Sequence, residues 1–494
     1  MKKTLILAIV LWPLLAMSQQ RDFIFIDQDQ ETGQMGTFAL ETRDGCYFIA
    51  SQASYYYTFQ PSMLLKVSRD GQLLNKTTIS TSIAAISGIF DGTTINPKDT
   101  CYYAVGYKIN ESYKAVPFVL CFDSGLNILG QTDVELPENF GYIDNPQVKL
   151  DDDGVVFFRA LTDPYHALHL RFTLTGELLD YVLVPTYFVT GSLFTLPDGR
   201  YGLYAGSVLS LLTDSLTLDT IHIFNNILHE PYMGDTIHWH TIYCLSDLYP
   251  TATVLPDSSL VFAETTYEKW YDIFGHIYDT KDKGIAFVKC NLNGEVEDFV
   301  LEYSSDSVMH PASFRSIDYR TSDSVFLCAY SSLEGVATRN RIYLKLTDNE
   351  LNPIWEQSYV LGLEYYEPIF ILATSDGGCL ITGRVHYDMF NTAMSDLFVF
   401  KVNADGTVGM KEIFAGASRP YACWPNPAKD QLHLQYSPDV EPKQVELYDL
   451  QGRLVRSQAN ALESLNMEGL AAGQYVMKVT MEDGKVFSDK VVKE

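Results

Sequence analysis

Apolar and polar residues alternate in short runs along most of this chain, and tight turns separate the runs. One unit recurs: an apolar run, a turn that contains Asp, and a second apolar run that ends near a small residue. Period-two alternation on both sides of a turn predicts a β-hairpin. Copies of the unit start 45 to 66 residues apart, and there are seven, with turns at Asp44, Asp99, Asp153, Asp198, Asp257, Asp323 and Asp376.

A second strand-turn-strand pattern follows each of these units. Clear copies read MLLKVSRDGQLL, AFVKCNLNGEVE and FVFKVNADGTVG, and a poorer copy, SLLTDSLTL, follows the fourth unit. The pattern of each repeat therefore predicts four antiparallel strands. Because apolar residues occur on both faces of these strands, both faces are expected to be buried. Seven such units, none able to bury its faces alone, predict an all-β protein with a seven-bladed β-propeller. Two or three β-sandwiches explain the alternation but not the regular spacing.

The predicted loops are unequal in length. Turns between the first and second, and between the third and fourth, strands of each repeat are short, whereas several connections at the opposite end are long. These long segments are 54–61, 108–116, 225–247, 265–283, 331–340 and 386–395. Long loops on a rigid scaffold are where binding residues concentrate.

Aromatic residues are frequent in the long segments. Aromatic rings there either stack on a glycan or a peptide, or pack their own loops against the body. For this end as a whole we predict ligand binding, with contacts from Tyr56, Tyr113, Trp239, Trp270, Tyr271 and Tyr365.

The N-terminus has the three-part pattern of a secretory signal peptide. A cationic start is followed by the apolar run 4–15 and by small residues at Ala16 and Ser18. The run is too short to span a bilayer, and no later run is long enough, so no transmembrane helix is predicted. The predicted organisation is a signal peptide at 1–18, a propeller at 19–412, a linker at 413–420 and a C-terminal β-sandwich at 421–494.

The last 74 residues carry several motifs in a fixed order. The segment resembles the C-terminal sorting domain of proteins exported by the type IX secretion system of the Bacteroidetes. That resemblance implies export through the periplasm, an interaction with the secretion machinery, and delivery to the medium or the outer cell surface. Its motif residues in this sequence are Pro425, Asn426 and Pro427 before a strand, Asp449 and Gly452 at a turn, Gly473 and Tyr475 leading into a strand, and Lys490 in the last strand.

Composition restricts the partners. The formal net charge is −27, which argues against nucleic acid as a ligand because phosphates need a basic surface. The same charge disfavours docking on anionic lipid. A hydrophobic content of 47 % excludes a disordered chain.

Sequence motifs for catalysis and cofactors are absent. The chain has no phosphate-binding glycine loop, no G-x-S-x-G, no H-E-x-x-H and no C-x-x-C, so no cofactor and no metal site is predicted. His238 and His240 are two positions apart, which places both imidazoles on one side of a strand. They are weak candidates for metal ligands, and local hydrogen bonds are the alternative. Cys101 and Cys121 face each other across a predicted hairpin, and either a disulfide or two thiols fits them.

These observations favour a secreted or surface-attached protein that binds a glycan or a protein. A glycan-degrading hydrolase or lyase is the alternative, since many acids lie near the loops and such enzymes need two carboxyls in one pocket. A surface component without a dedicated ligand is the third possibility. Enzymatic activity is left open, with no motif in its favour.

Overall fold

The described part of the chain is built almost wholly from antiparallel strands. For residues 218–245 and 267–283, the structure describes the backbone of the strands and not the side chains. The computed structural model describes residues 23–27, 34–53, 62–79, 84–109, 115–136, 144–163, 166–185, 192–205, 208–213, 216–223, 232–233, 238–245, 251–272, 277–279, 283–302, 308–321, 323–332, 341–361, 365–386, 395–408, 421–424, 428–436, 442–449, 453–459, 462, 464–482 and 486–493.

Residues 23–402 form seven sheets that follow one another along the chain. A short 3-10 helix, Gly92–Thr94, lies in the connection between the first two strands of the second sheet. An N-terminal strand, β1 (Phe23–Asp27), precedes the first sheet. The first four sheets have four strands each: the first contains β2 (Gln34–Glu41), β3 (Tyr47–Ala53), β4 (Met63–Val67) and β5 (Leu73–Thr78), the second β6 (Ala84–Asp91), β7 (Tyr102–Ile109), β8 (Ala115–Phe122) and β9 (Ile128–Asp133), the third β10 (Asp144–Leu150), β11 (Val155–Asp163), β12 (His166–Thr173) and β13 (Leu178–Pro185), and the fourth β14 (Ser192–Thr195), β15 (Tyr201–Ala205), β16 (Val208–Leu212) and β17 (Leu218–Ile223).

The fifth sheet contains β18 (Tyr232–Met233), β19 (His238–Leu245), β20 (Thr251–Val254), β21 (Leu260–Asp272), β22 (Ile277–Asp279), β23 (Lys283–Cys290) and β24 (Val296–Glu302). The sixth contains β25 (Val308–Pro311), β26 (Ile317–Tyr319), β27 (Val325–Ser332), β28 (Ile342–Thr347) and β29 (Pro353–Tyr359), and the seventh β30 (Tyr365–Ala373), β31 (Cys379–His386) and β32 (Ser395–Val402).

Tight turns join the strands at the predicted Asp-containing positions. Gly45 and Gly377 have φ values of 72° and 84°, a left-handed conformation that glycine adopts without steric cost. In the poorer fourth copy, Leu216 takes the same left-handed conformation, with φ 62°, and its side chain is buried. The predicted hairpin is therefore present there as well, between β16 and β17.

The seventh sheet obtains its outermost strand from the other end of the chain. β1 pairs antiparallel with β32, and Phe23 lies opposite Lys401 in the register. The ring of Phe23 is buried in an apolar cluster that includes Tyr47 of the first sheet and Phe370 of the seventh. The segment next to the N-terminus is thus paired with one almost 400 residues later.

Apolar residues fill the interfaces between consecutive sheets. The ring of Phe157 stacks on Tyr201 with centroids 4.4 Å apart, and Tyr204 stacks on Phe262 at the same distance. A cluster also joins the seventh sheet to the first. From the first interface to the last, the clusters include Phe48 with Tyr102, Val105 with Phe158, Phe157 with Tyr201, Tyr204 with Phe262, Val261 with Leu327, Cys328 with Ile381, and Tyr47 with Leu380.

A buried lysine on the third strand recurs in three sheets. Its ammonium group reaches an aspartate in the turn between the first and second strands. Burial raises the pKa of such an aspartate, but in Asp376 the hydrogen bond from Thr374 and the charge of Lys401 outweigh burial, so its pKa lies below the ordinary value. The pairs are Lys66 with Asp44 at 2.7 Å, Lys289 with Asp257 at 3.2 Å, and Lys401 with Asp376 at 3.1 Å.

Substituting Asp376 with Asn is expected to lower the free energy of unfolding by about 3–5 kcal/mol, because Lys401 is fully buried and would keep an uncompensated charge. Asp198→Asn is the matched control, since Asp198 pairs with Arg200 at 2.8 Å on the surface. That change is expected to cost no more than about 1 kcal/mol. Urea unfolding at neutral pH measures both, and equal losses would contradict the burial argument.

The same pair predicts a pH dependence. Since the pKa of Asp376 is lower in the folded than in the unfolded protein, its contribution is fully present above the unfolded pKa, about 3.9. It is lost as the pH falls through the folded pKa. The stability difference between the native chain and Asp376→Asn should therefore shrink on acidification.

The two cysteines for which a disulfide had been considered are separate thiols in the second sheet. Cys121 lies on β8 opposite Tyr103. Burial and the neighbouring Cys101 thiol raise the pKa of Cys121.

Residues 421–493 form two further sheets with one core. Leu432 and Leu465 of one sheet pack against Leu447 and Val479 of the other. No helix in the described part of the chain has the length and hydropathy of a membrane-spanning segment. One sheet contains β33 (Tyr421–Trp424), β34 (Gln431–Tyr436) and β37 (Ser464–Asn466), and the other β35 (Pro442–Asp449), β36 (Leu454–Gln458), β38 (Gly473–Met481) and β39 (Val486–Lys493).

Candidate functional site

An aromatic cluster lies at the long-loop end of the sixth and seventh sheets. Tyr365 is the first residue of β30, and its ring centroid is 6.4 Å from that of Tyr330 and 5.9 Å from that of His386. His310 lies 5.4 Å from Tyr330. All four residues lie close to strand ends that adjoin the longer connections. The predicted contact residue Tyr365 thus has two aromatic neighbours, Tyr330 and His386, and His310 in turn contacts Tyr330.

A carboxylate beneath these rings is held in a fixed geometry. Arg384 donates from Nε to Glu367 Oε2 at 2.8 Å and from Nη2 to Oε1 at 3.0 Å. The Nε2 atom of His386 lies 3.4 Å from the same carboxylate. Two parallel hydrogen bonds of this kind give both strength and orientation. We call His310, Tyr330, Tyr365, Glu367, Arg384 and His386 the aromatic-carboxylate cluster.

The electrostatics of the cluster keep Glu367 ionised. Burial raises the pKa of Glu367, but the hydrogen bond with His386 and the charge of Arg384 outweigh it, and the pKa lies below its ordinary value. In turn the Glu367 carboxylate holds the pKa of Arg384 above its ordinary value against the effect of burial. A carboxyl that is charged and bonded through both oxygens is suited to orienting neighbours and unsuited to donating a proton.

The fifth sheet differs from the sequence prediction. The segments 265–283 and 225–247 were expected to be loops, but β21 continues to Asp272 and β19 pairs with its far half. Alternating Thr, Tyr, Glu and Lys side chains make this part of β21 polar, which is why its strand character was missed. We call β18, β19, β22 and residues 264–272 the fifth-sheet extension.

Three predicted contact residues lie on the paired strands of this extension. In the backbone register, Trp239 lies opposite Tyr271, and Trp270 lies opposite His240. Residues directly opposite in an antiparallel pair are close neighbours on one face. Strand pairing has therefore set Trp239 opposite Tyr271, which is 32 positions later in the chain, and the adjacent Trp270 opposite His240.

The remaining predicted contacts and the metal candidates are in less described parts. Tyr56 and Tyr113 lie outside the described residues, so their role stays a prediction. The register sets His238 opposite Asp272, but only the backbone is described there. Within the described residues, no group of three or more potential metal ligands occurs.

The opposite, short-turn end carries charged residues that sequence reasoning did not single out. Arg315 pairs with Asp318, which also accepts a hydrogen bond from the Ala373 backbone N–H at 2.7 Å. Burial lowers the pKa of Lys149 to about 8, and the charge of Arg315 contributes to the shift. Glu41 binds Arg320 at 2.9 Å. No motif marks these residues, because they lie on three different sheets.

The sorting-motif residues are partly described. Gly473 has φ 149°, which favours glycine, and it begins β38. The Tyr475 ring is buried and its hydroxyl donates to the Ala471 carbonyl at 2.7 Å. Asp449 accepts from the Arg453 backbone N–H at 2.9 Å across the turn after β35. Lys490 lies opposite Val476, and Pro425, Asn426, Pro427 and Gly452 lie outside the described residues.

Solved structures resemble the body of the chain only weakly. The extracellular domains 1–2 of Drosophila Semaphorin 1a are 8 % identical, with a TM-score of 0.40, 78 % of this chain and 88 % of that chain covered. The Neurospora crassa Pan2 WD40 domain is 9 % identical, with a TM-score of 0.37 and coverages of 77 % and 96 %. A protein of unknown function from Bacteroides caccae is 8 % identical, with a TM-score of 0.31 and coverages of 66 % and 94 %. TM-scores this low carry no argument about this protein.

Sequence comparison is informative only at the C-terminus. No curated protein matches the chain. Residues 422–494 match the family of the secretion system C-terminal sorting domain, at the position of the predicted module. Such a domain implies export, and secretion or a place at the cell surface. The chain therefore carries, at residues 422–494, a C-terminal sorting domain of the type IX secretion system.

Proposed function

We propose that the protein is a secreted or cell-surface β-propeller that binds a glycan or a protein at its long-loop end. A signal peptide at 1–18 directs it to the periplasm, and the sorting domain then directs it across the outer membrane. The binding body spans 19–412 and a linker spans 413–420. The resemblance to sorting domains of the Bacteroidetes supports this route.

A closed ring of seven sheets is part of the proposal. It is supported by apolar clusters at seven interfaces, the last between the seventh and first sheets, and by the pairing of β1 with β32. Charges at the inner strands support the ring too. Arg315 of the sixth sheet is close enough to Lys149 of the third sheet for its charge to lower the pKa of Lys149. In a ring, inner strands of distant sheets approach one another around the axis.

The aromatic-carboxylate cluster is the observation that carries the binding function. It combines rings that stack on sugars or side chains with one oriented, ionised carboxylate at the end of the sheets where the loops are longest. A glycoside hydrolase needs a second carboxyl, one of the two able to donate a proton. Among the described residues of this cluster Glu367 is the one carboxylate, and its lowered pKa favours binding over hydrolysis.

Replacing Tyr365 with Ala is expected to weaken ligand binding about tenfold, the usual effect of removing a stacking ring from a contact. A glycan array and a panel of purified surface proteins, probed with the mature chain 19–494, identify the ligand, and calorimetry measures the affinity. Tyr319→Ala is the matched control, since Tyr319 ends β26 at the short-turn end.

Trp239→Ala, Trp270→Ala and Tyr271→Ala test the fifth-sheet extension in the same assay. Binding that is unchanged in these variants and in Tyr365→Ala would defeat the site assignment. A loss confined to the three extension variants would place the contact there and remove the aromatic-carboxylate cluster from the site.

A further inference from the structure

One face of the third sheet carries an unusual concentration of basic side chains. Arg159 on β11 lies opposite His169 on β12, and opposite Gln147 on β10. Alternation places Lys149 and Arg171 on the same face. This face packs on the fourth sheet through Phe157, which stacks on Tyr201. Four basic side chains thus share one face of a sheet in a protein whose net charge is strongly negative.

Within the described part of the chain, Arg159 has no partner for its charge. The side chain is 0 % exposed, and none of its three nitrogen atoms has a hydrogen-bond partner there. Burial lowers the pKa of Arg159 to about 10, which still leaves the guanidinium protonated at neutral pH. An unpaired buried charge is costly, and native proteins pair such groups with a counter-charge.

The neighbouring charges are already engaged. Arg171 pairs with Asp180 at 3.4 Å, and Asp151 accepts from the Tyr201 hydroxyl at 3.3 Å. The Gln147 side-chain oxygen accepts from the Leu193 backbone N–H at 2.5 Å. In the described residues, therefore, no carboxylate or amide oxygen is bonded to Arg159.

His169 defines the chemistry of the missing partner. Its Nδ1 lies 2.9 Å from the Leu216 carbonyl oxygen, which only accepts, so Nδ1 carries the hydrogen. Burial first, and the charge of Arg159 in addition, lower the pKa of His169 to about 4. The ring is consequently neutral at pH 7, and its Nε2 is a buried acceptor that no described residue contacts with a hydrogen bond. The site thus offers several donors from Arg159 and one acceptor from His169.

We propose that a small oxyanion that carries its own proton, of the kind of hydrogen carbonate or a protonated phosphate, binds between the third and fourth sheets. The Arg159 guanidinium donates to the anionic oxygens, and the hydroxyl of the anion donates to His169 Nε2. A halide or a fully deprotonated oxyanion satisfies Arg159 and leaves the His169 acceptor facing a negative charge. The two groups together therefore select the protonated anion.

Thermal unfolding of the mature chain 19–494 in paired anions tests the selectivity. Hydrogen carbonate is compared with nitrate, which is also planar and has no proton, and phosphate with sulfate, at equal ionic strength and pH 7. At least one protonated anion is expected to raise Tm by about 2 °C for each tenfold increase in concentration, and its partner by clearly less. Equal shifts within both pairs would overturn the proposal, leaving a nonspecific salt effect.

Arg159→Met tests the residue. The variant is expected to lose the anion response and to unfold in anion-free buffer at the same or a higher temperature than the native chain, because the unpaired charge is gone. Arg341→Met is the control, since Arg341 is exposed and its response should be native. A full response in Arg159→Met would overturn the site.

His169→Leu supplies a second variant, which decides the matter if Arg159→Met does not fold. It is expected to respond equally to the two members of each anion pair, because the acceptor that favours the protonated form is absent. Retained selectivity in this variant would overturn the assigned role of His169.

Discussion

Export is expected to be abolished when residues 422–494 are deleted. Residues 422–494 are the part of the chain that matches a secretion-system sorting family. In a bacterium that has a type IX system, immunoblots of cell, periplasmic and medium fractions should detect the truncated chain in the cell and periplasmic fractions and not in the medium. The full chain should be found in the medium or on the surface.

A gain-of-function control separates export from folding. A reporter protein that carries a Sec signal peptide and residues 409–494 at its C-terminus is expected to leave the cell, whereas the reporter with the signal peptide alone stays in the periplasm. Release of the truncated chain at the native level would contradict the assignment of residues 422–494 as the export signal.

Removing β1 is expected to have the largest effect on folding. A chain that starts at residue 28 loses the partner of β32, a strand whose side chains are all buried. It also loses the Phe23 ring, and loss of a buried Phe side chain alone costs about 3–5 kcal/mol. The bared edge of β32 is a template for pairing with another copy, so the shortened chain should aggregate.

A chain that starts at residue 23 is the matched control, since it keeps β1 intact. Urea unfolding and size-exclusion chromatography compare the two. Equal stability and a monomeric state for both chains would show that β1 does not close the structure, and it would count against the proposed seven-sheet ring.

The two ends of the sheets have different chemistry. The short-turn end carries ion pairs, of which Arg315 with Asp318 lies within the sixth sheet and Glu41 with Arg320 links the first sheet to the sixth. The long-loop end carries stacked rings around the Glu367 carboxylate. Ion pairs between sheets fix the scaffold, and partly buried aromatic rings are the side chains that contribute most to binding. This asymmetry is the reason for assigning the ligand to the long-loop end.

Sequence reasoning singled out Tyr365, Trp239, Trp270 and Tyr271 because aromatic residues near long connections are conspicuous, and their role in binding stays a prediction. It missed Glu367 and Arg384, which are seventeen positions apart and become neighbours through strand pairing. It also read part of β21 as a loop. Residues 265–272 of β21 are polar and lack the apolar alternation that marks a strand in a sequence. They form a strand because they pair with β19.

The sequence by itself determined most of the strands, the tight turns, the sevenfold repeat and the sorting domain. The strands and turns depend on residues within one turn or one hairpin, where alternation and glycine conformation act locally. Only the tertiary structure decided that β1 completes the seventh sheet, that Tyr365 joins Glu367 and His386, and that Arg159 is buried with no counter-charge among the described residues. The physical reason is that a charge or a ring acquires its energy from its surroundings, and those surroundings come from distant parts of the chain.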